Sequence, residues 1–180
     1  MAEPQLSTGR EGAPSARSPG ELARSYFAAV AARDAGAQLE HWHPEGIVDL
    51  VPVGIRRGEA EIGAFFRELY GAIPDLETTV DGIVADERHA VVQWRMSGHF
   101  TGGPFEGLDP TGGRIALRGV DVLEFEHGTI VRNTAYYDGL EFARGAGMLP
   151  AQYSGAEKAM FAAFNGLTKA RSAVRRARER

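Results

Sequence analysis

The stretch Gly119–Gly128, GVDVLEFEHG, has the pattern of one β-strand closed by a turn. Valine, leucine and phenylalanine are strong strand formers, and the His-Gly pair at its end is typical of a hairpin tip. Side chains alternate along a strand, so Asp121 lies on the same face as Leu123 and Phe125. A carboxylate on such a face is costly to bury unless it is partnered or protonated. Asp121 is therefore the first candidate for a functional residue.

Further strand patterns lie on both sides of this stretch. GIVDLVPVG comes first, and Pro52 confines it to the edge or the end of a sheet. After Pro74 the strand-like runs, separated by turn residues, are LETTVDGIVA, HAVVQWRMSGHF, RIALRGVDVLEFE and TIVRNTAYYD. The longest break, TGGPFEGLDPTGG, lacks the GK[ST] ending and the following helix of a phosphate-binding loop. We interpret it as a flexible hairpin connection or a lid.

Helical patterns precede and follow the strands. Ser18-Pro19-Gly20-Glu21 is a capping box with proline at the first helical position, and it starts a helix that carries Tyr26. Asp34 caps a short second helix. GEAEIGAFFRELYGA forms a third, with Phe65 and Phe66 on its apolar side. The C-terminal stretch SGAEKAMFAAFNGLTKARSAVRRARER is also helical in pattern.

Length and element order predict one α+β domain with tails. The 180 residues suit a single ordinary core, and a hydrophobic content of 43% is normal for a globular protein. Residues 1–17 are rich in glycine, proline, serine and charge, which predicts a disordered tail. Helices followed by an antiparallel sheet predict an α+β domain over residues 18–150. A basic helix over residues 151–180 completes the predicted organisation.

Charge is unevenly distributed in a chain whose formal net charge is -4. Residues 166–180 hold six basic residues against one acidic residue, so the rest of the chain is acidic. An acidic body argues against a nucleic-acid-binding face. Basic residues at the end of a helix complement its dipole, which explains the tail without a partner. Binding of nucleic acid or an acidic partner is the alternative explanation.

Several classes of site are not expected. The sequence has no cysteine, which excludes disulfides, cysteine nucleophiles and thiolate metal sites. His41 and His43 flank Trp42, but two histidines need a further ligand and none is evident, so we predict no metal site. No apolar run reaches the roughly 20 residues of a membrane span, and the N-terminus lacks the apolar core of a signal peptide. We expect a cytoplasmic protein without cofactor or membrane partner.

A long-stranded sheet curled around a helix predicts an inner face that carries some polar groups. The polar candidates for this face are Tyr26, Asp49, Asp121, Asn133 and Tyr137. Apolar walls with a few convergent polar groups are the usual makeup of a small-molecule pocket. The alternative is a filled core in which these groups hydrogen-bond one another. The pattern alone leaves both possibilities open.

The order of elements and several motifs resemble the SnoaL-like polyketide cyclases of the nuclear-transport-factor-2-like superfamily. The matching pieces, over roughly residues 21–150, are HPEGIVD, GEAEIGAFFREL, IPDLE, FTGGPFEGLDPTGG, RGVDVLEFEHGTIV and YYDGLEFARGAGMLP. The resemblance implies a conical α+β barrel, in which a curved antiparallel sheet wraps around the N-terminal helices, with an extra C-terminal helix here. It also implies a homodimer, because sheets of this superfamily commonly pair face to face.

Ketosteroid isomerase belongs to the same superfamily, and its Asp-Val-Met-Arg-Phe strand before a His-Gly turn is similar to DVLEFEHG. The resemblance places its oxyanion-hole acid on Asp121 and its oxyanion-hole tyrosine on Tyr26. Its general base falls on Leu50 instead. Asp49 is one residue away, on the other face of a regular strand. A bulge near Pro52 would turn Asp49 inward.

The bases of two other relatives are missing. Aldol-type SnoaL-like cyclases and limonene-epoxide-hydrolase relatives use a last-strand aspartate that falls on Ala135. A family histidine on that strand falls on Asn133, and another falls on Asp121. The Arg-x-Asp of the epoxide hydrolases best matches Arg95-Met96-Ser97. The resemblance therefore implies a pocket, but none of the three reactions unchanged.

Taken together, these features predict a cofactor-independent acid/base enzyme. It would be a cyclase or isomerase acting on a hydrophobic polyketide-like or terpenoid-like molecule. Asp121 is the predicted general acid/base, and Tyr26 and Asn133 are the predicted hydrogen-bond donors. The predicted substrate-binding residues are Trp42, Asp49, Phe65, Phe66, Trp94, Met96 and Tyr137.

Alternatives remain for these residues and for the function. Asp121 on an outward strand face would be an ordinary surface carboxylate, and an inward Arg95 would take the place of Trp94. Loss of the bases at Leu50 and Ala135 favours a non-catalytic binding protein with the same pocket. A third possibility is an interaction module that works through the basic C-terminal helix.

Overall fold

Five helices and six strands make up residues 17–178, the part of the chain that the computed structural model describes. In chain order they are α1 (Pro19–Ala32), α2 (Ala35–Leu39), β1 (Trp42–Leu50), β2 (Gly54–Arg57), α3 (Gly58–Ala72), β3 (Glu77–Ala85), β4 (His89–His99), β5 (Arg114–Glu126), β6 (Thr129–Tyr137), α4 (Gly139–Gly145) and α5 (Gly155–Arg178). The predicted α+β class is confirmed. Of the predicted tail, residues 1–16 lie outside the described part, and the predicted domain boundaries remain predictions.

The six strands form one sheet in the order β2-β1-β6-β5-β4-β3. Strands β3 to β6 pair antiparallel, as expected for hairpin-connected strands. β1 pairs in parallel with β6, because the chain returns to β1 only after passing through α3 and the other strands. The sheet is not closed, since β2 and β3 remain as its two edges.

The helical N-terminus forms as its sequence predicts. Glu21 N–H donates to Ser18 Oγ at 3.4 Å, and Ser18 N–H donates to Glu21 Oε2 at 2.8 Å, which completes the capping box. Asp34 caps α2 by accepting from the N–H of Ala37 at 3.0 Å. The buried side of α1, which includes Tyr26, faces the sheet.

The glycine-rich connection between β4 and β5 is docked on α3. Gly102 N–H donates to Ala72 O at 3.0 Å, and Gly103 N–H donates to Gly71 O at 3.1 Å. A Cβ on Gly102 would lie 1.9 Å from Gly71 O, so only glycine allows this approach. The docked loop carries Phe105, which is buried. The connection is therefore part of the wall around the inner face of the sheet.

The core lies between that inner face and helices α1 and α3. Its buried side chains come from α1, β1, α3, β4, β5, β6 and the Phe105 loop. The long C-terminal helix α5 stands apart, since each side chain from Lys158 to Arg171 is exposed. No helix within residues 17–178 combines the length and apolar character needed to cross a membrane.

Candidate active site

A cavity lies between α1, α3 and the inner face of the sheet. Its free volume is about 80 Å³, several times the roughly 10–15 Å³ that one water needs. The apolar residues that line it are Phe27, Val30, Val48, Leu50, Phe65, Phe66, Leu69, Met96, Phe105, Leu117, Ala135 and Phe142. The residues with polar groups are Tyr26, Trp94, Asp121, Asn133 and Tyr137. This composition is typical of a small-molecule site.

Asp121 is the charged group of the cavity. It sits on the inner face of β5 between Val92 of β4 and Ala135 of β6, and only 7% of its surface is exposed. Trp94 Nε1–H donates to its Oδ1 at 2.8 Å, and Asn133 Nδ2–H donates to its Oδ2 at 2.6 Å. Burial raises the pKa of Asp121 to about 6, although the two donors oppose the shift. The carboxyl group can therefore gain or lose a proton close to neutral pH.

Trp94 reaches Asp121 because a glycine lies beneath its ring. Trp94 pairs with Gly119 across β4 and β5. A Cβ on Gly119 would lie 2.4 Å from Trp94 Cζ2 and 2.7 Å from Tyr136 O. Glycine inside a strand often marks such a close approach, and here it allows the indole N–H to bind the carboxylate two residues further along β5.

Gly119→Ala should therefore loosen the support of the carboxylate. The added methyl must displace the indole ring or the backbone of β6, and we expect a loss of about 1–2 kcal/mol in the free energy of unfolding. Urea unfolding of the variant measures this loss. Gly82→Ala on β3 is the matched control, because its Cβ would meet nothing within 4 Å. Equal effects of the two changes would contradict the role given to Gly119.

Tyr26 supplies a second polar group, from α1. Its side chain is buried, and its ring packs edge-on against Trp42 with 6.1 Å between centroids. Burial, together with the charge of Asp121, raises the pKa of Tyr26 well above 10. The phenol therefore stays neutral and keeps its proton for donation.

The nearby side chains of Gln38 and Trp42 oppose the effect of burial on the pKa of Tyr26. Gln38 Oε1 accepts a short hydrogen bond from the Tyr70 hydroxyl, while Gln38 Nε2 and Trp42 Nε1 have no partner of their own. The sequence analysis did not predict a role for Gln38, because a single glutamine in a five-residue helix forms no recognisable motif.

Asn133 holds Asp121 through its amide N–H, so its first role is to support the carboxylate. Its Oδ1 is buried and has no hydrogen-bond partner. We predicted Asn133 as a donor to substrate. One N–H of its amide donates to Asp121, and its Oδ1 is a free acceptor on the cavity wall, so donation to the substrate by the second N–H stays a prediction.

Two predicted substrate-binding residues, Asp49 and Trp42, do not line the cavity. On β1, Val48 and Leu50 are buried, and Asp49 projects to the other face of the sheet. The irregularity of β1 falls between Trp42 and Ile47, so the alternation at Asp49 is not reversed. Trp42 is buried behind Tyr26 rather than exposed to the cavity.

The other predicted lining residues do border the cavity. They are Phe65, Phe66, Trp94, Met96 and Tyr137. The inward direction of Trp94 agrees with Arg95 on the outer face, where its guanidinium forms a bidentate contact with Asp81 at 2.7 and 2.8 Å. Burial raises the pKa of Tyr137 to about 12, so this phenol also stays neutral.

Two phenylalanines that the sequence analysis missed cover the cavity. Phe105 from the glycine-rich loop and Phe142 from α4 pack with 6.0 Å between ring centroids. Phe105 also contacts Phe65, with 5.7 Å between centroids. A salt bridge of 2.6 Å between Arg56 and Glu106 ties the loop to β2. The sequence offered one signal for Phe105, which is a large apolar residue within a glycine-rich loop.

The described residues contain no cluster of three or more histidine, cysteine, aspartate or glutamate side chains that would hold a metal ion. The polar groups of the cavity are instead a carboxyl, two phenols, an amide and an indole. These groups exchange protons and form hydrogen bonds. The arrangement is thus suited to proton transfer and to binding a ligand that carries oxygen atoms.

The family model of the SnoaL-like domain matches residues 23–133, more than half of the chain. The protein belongs to this SnoaL-like family. TsrD from Streptomyces laurentii is 28% identical, with a TM-score of 0.61 over 71% of this chain and 93% of TsrD. No match was found among curated proteins.

Two further solved structures share the fold of this SnoaL-like protein. A candidate polyketide cyclase from Pseudomonas putida is 24% identical, with a TM-score of 0.63 over 72% of this chain and 98% of its own. A hypothetical protein with a ketosteroid isomerase-like fold from Catenulispora acidiphila is 18% identical, with a TM-score of 0.61 over 77% and 99%. They confirm the predicted nuclear-transport-factor-2-like fold.

Proposed function

We propose that this SnoaL-like protein is a cofactor-independent acid/base enzyme, a cyclase or isomerase. Its substrate would be a hydrophobic, carbonyl-bearing small molecule of the polyketide-like or terpenoid-like kind. The observation that carries the proposal is the buried carboxyl group of Asp121, with a pKa of about 6, on the wall of an apolar cavity. The candidate polyketide cyclases among the similar structures support the same class of reaction.

Asp121 is best placed to act as a base. Both of its oxygens accept N–H donors, and such donors stabilise the ionised form. Among the described residues that line the cavity, Asp121 is the one carboxylate. The same group must therefore remove a proton and later return it. A pKa near the working pH suits both steps.

The reaction would begin with removal of a proton from carbon next to a substrate carbonyl. The C–H electron pair moves into an enolate, and the Tyr26 hydroxyl donates to the enolate oxygen. In an isomerisation, protonated Asp121 returns the proton to a different carbon. In a cyclisation, the enolate carbon attacks a second carbonyl, and Asp121 protonates the resulting alkoxide. Neither route consumes an external acid, base or oxidant.

The direct test is hydrogen–deuterium exchange at the substrate, which requires enolate formation but not the complete reaction. Hydrophobic 1,3-dicarbonyl compounds and cyclic terpenoid ketones would be incubated with the protein in D₂O and followed by mass spectrometry. Enzyme-dependent incorporation of deuterium next to the carbonyl supports the proposal. Binding of the compounds without any exchange would contradict it.

The second candidate is a binding protein that performs no chemistry. It is favoured by Leu50 and Ala135, which stand where the resemblance places the bases of three related reactions. With Asp49 on the outer face, no second carboxylate from residues 17–178 replaces them on the cavity wall. This candidate predicts retention of a ligand whose mass and hydrogen content do not change.

Tyr26→Phe should slow the exchange by roughly 10- to 100-fold, because the enolate oxygen loses a preorganised donor. The ring remains, so packing against Trp42 is retained and the affinity for the substrate should change little. Exchange rates at saturating substrate measure the effect. Tyr153→Phe, at an exposed position, is the matched control. A rate equal to that of the wild type would remove Tyr26 from the mechanism.

A further inference from the structure

One buried polar atom on the cavity wall has no hydrogen-bond partner. Among the described residues, the buried side-chain atoms without a partner belong to Gln38, Trp42, Thr78, Asn133 and Arg144. Of these five residues, Asn133 is the one that lines the cavity. Its side chain is 1% exposed, and the unpartnered atom is Oδ1, a carbonyl oxygen that can only accept. A buried acceptor without a donor is costly, so a donor from a ligand is favoured at this place.

The orientation of the Asn133 amide is set by Asp121. The Nδ2–H of Asn133 donates to Asp121 Oδ2 at 2.6 Å. An ionised carboxylate can only accept, so a rotated amide would bring one acceptor against another. Whenever Asp121 is ionised, as its role as a base requires, Asn133 Oδ1 therefore faces away from the carboxylate.

The neighbours of Asn133 on the sheet supply no donor to its Oδ1. Across the sheet it pairs with Leu123 of β5 and with Val48 of β1. The nearest buried residues on either side of it along β6 are Ile130 and Ala135. All four of these side chains are buried and apolar. A donor to Oδ1 has to come from a molecule in the cavity.

The free acceptor lies close to the place where the proton is removed. Asn133 Oδ1 is within about 5 Å of Asp121 Oδ2, because the donating nitrogen is 2.6 Å from that oxygen and the two polar atoms of an amide are about 2.3 Å apart. The carbon on which a base acts lies about 3–3.5 Å from it. A hydroxyl group that donates to Oδ1 is therefore attached close to the acidic carbon.

We propose that Asn133 selects a β-hydroxy carbonyl compound as the substrate. In this class the acidic carbon lies between the carbonyl carbon and the carbon that carries the hydroxyl group. The hydroxyl donates to Asn133 Oδ1, the carbonyl accepts from Tyr26, and Asp121 removes the proton from the carbon between them. The carbonyl and the proton transfer are those of the proposed function, on which this assignment rests, and the hydroxyl is the additional recognised group.

Selective labelling of asparagine allows a direct test. The chain contains two asparagines, Asn133 and Asn165, and Asn165 is exposed on α5, so it serves as the internal control. Protein with ¹³C- and ¹⁵N-labelled asparagine would be titrated with 3-hydroxy-1-indanone, 1-indanone and 3-methoxy-1-indanone. The hydroxy compound should move the side-chain carbonyl carbon of Asn133 further downfield than the other two, which lack the donor. The Asn165 signals should not move.

Binding affinity gives the second readout. The wild type should bind 3-hydroxy-1-indanone about 10- to 100-fold more tightly than either of the other compounds, because these leave the buried acceptor unpaired. Asn133→Leu should remove this preference, after thermal unfolding has shown that the variant is folded. Thr134→Val, at the next position of β6 and on the opposite face, is the matched control and should keep it. A purely structural Asn133 would weaken all three compounds alike in Asn133→Leu and leave the preference unchanged.

The ligand series and the labelled wild type decide the proposal even if Asn133→Leu does not fold. Equal affinity for the three compounds, with no specific movement of the Asn133 carbonyl signal, would overturn it. A preference that Tyr137→Phe removes and Asn133→Leu keeps would also overturn it, because the acceptor would then be the Tyr137 phenol.

The same compounds separate this proposal from the proposed function. A preference for the hydroxyl without deuterium exchange at C2 would contradict the proton transfer and support the recognition by Asn133. Exchange at C2 without the preference would support the proton transfer and contradict the recognition by Asn133.

Discussion

The Asp121→Asn variant should exchange the hydrogens next to a bound carbonyl on the order of 1,000-fold more slowly than the wild type. The amide that replaces the carboxylate is not a base at neutral pH. No other carboxylate lines the cavity among the described residues, so no neighbour can substitute for it. Exchange rates at saturating substrate, measured by mass spectrometry in D₂O, give the size of the loss.

The loss should not come from unfolding. The new amide keeps one oxygen that can accept from Trp94 Nε1–H. Its N–H group can donate to Asn133 Oδ1 once the Asn133 amide rotates, because that oxygen has no partner in the wild type. Thermal unfolding checks that the variant is intact. Glu45→Gln on the exposed part of β1 serves as the control and should exchange at the wild-type rate.

The pH profile provides an independent check on the same residue. Exchange by the wild type should rise with pH through about 6 and then level off, because the ionised form of Asp121 is the base. A folded Asp121→Asn variant that exchanges at the wild-type rate would show that another group is the base. A wild-type profile that falls above pH 6 would show that Asp121 acts in its protonated form.

Much of the fold could be predicted because its signals are local. The capping box at Ser18 uses four consecutive residues. The strand around Asp121 can be recognised from the alternation of its side chains within eight residues. Both patterns depend on backbone geometry that neighbouring residues determine. The inward direction of Asp121 followed from the same alternation, because it shares parity with Leu123 and Phe125.

The missed features depend on contacts between distant parts of the chain. The parallel pairing of β1 with β6 joins strands about 80 residues apart, and no local pattern encodes it. Gln38 matters because it meets Tyr70 from another helix. Phe142 covers the cavity only because α4 packs on β5. Asp49 was predicted to bind substrate because a bulge near Pro52 was possible, but the irregularity lies earlier in β1.

Ionisation of Asp121 should reduce the stability of the protein as the pH rises. Burial places its pKa at about 6 in the folded state, against an ordinary value of 3.8. The folded state therefore holds the proton more tightly than the unfolded state. This stabilisation is fully present below about pH 4 and is lost as the pH rises through 6. Its size is on the order of 2–3 kcal/mol in the free energy of unfolding.

Comparison with Asp121→Asn isolates this contribution from other titrating groups. Asp75 and Asp86 have pKa values lowered by hydrogen bonds, so their ionisation stabilises the fold over an overlapping acidic range. They are common to both proteins and cancel in the difference. Tyr26 and Tyr137, the titratable neighbours on the cavity wall, stay neutral throughout because their pKa values lie above 10.

Urea unfolding of both proteins at pH 4 and pH 7.5 measures the effect. The free energy of unfolding of the wild type, relative to the variant, should fall by about 2–3 kcal/mol between the two conditions. Trp94→Phe removes one N–H donor from the carboxylate and should move the loss to higher pH. A difference that does not change with pH would mean that Asp121 ionises alike in both states, and the main support for its role as a proton carrier would be gone.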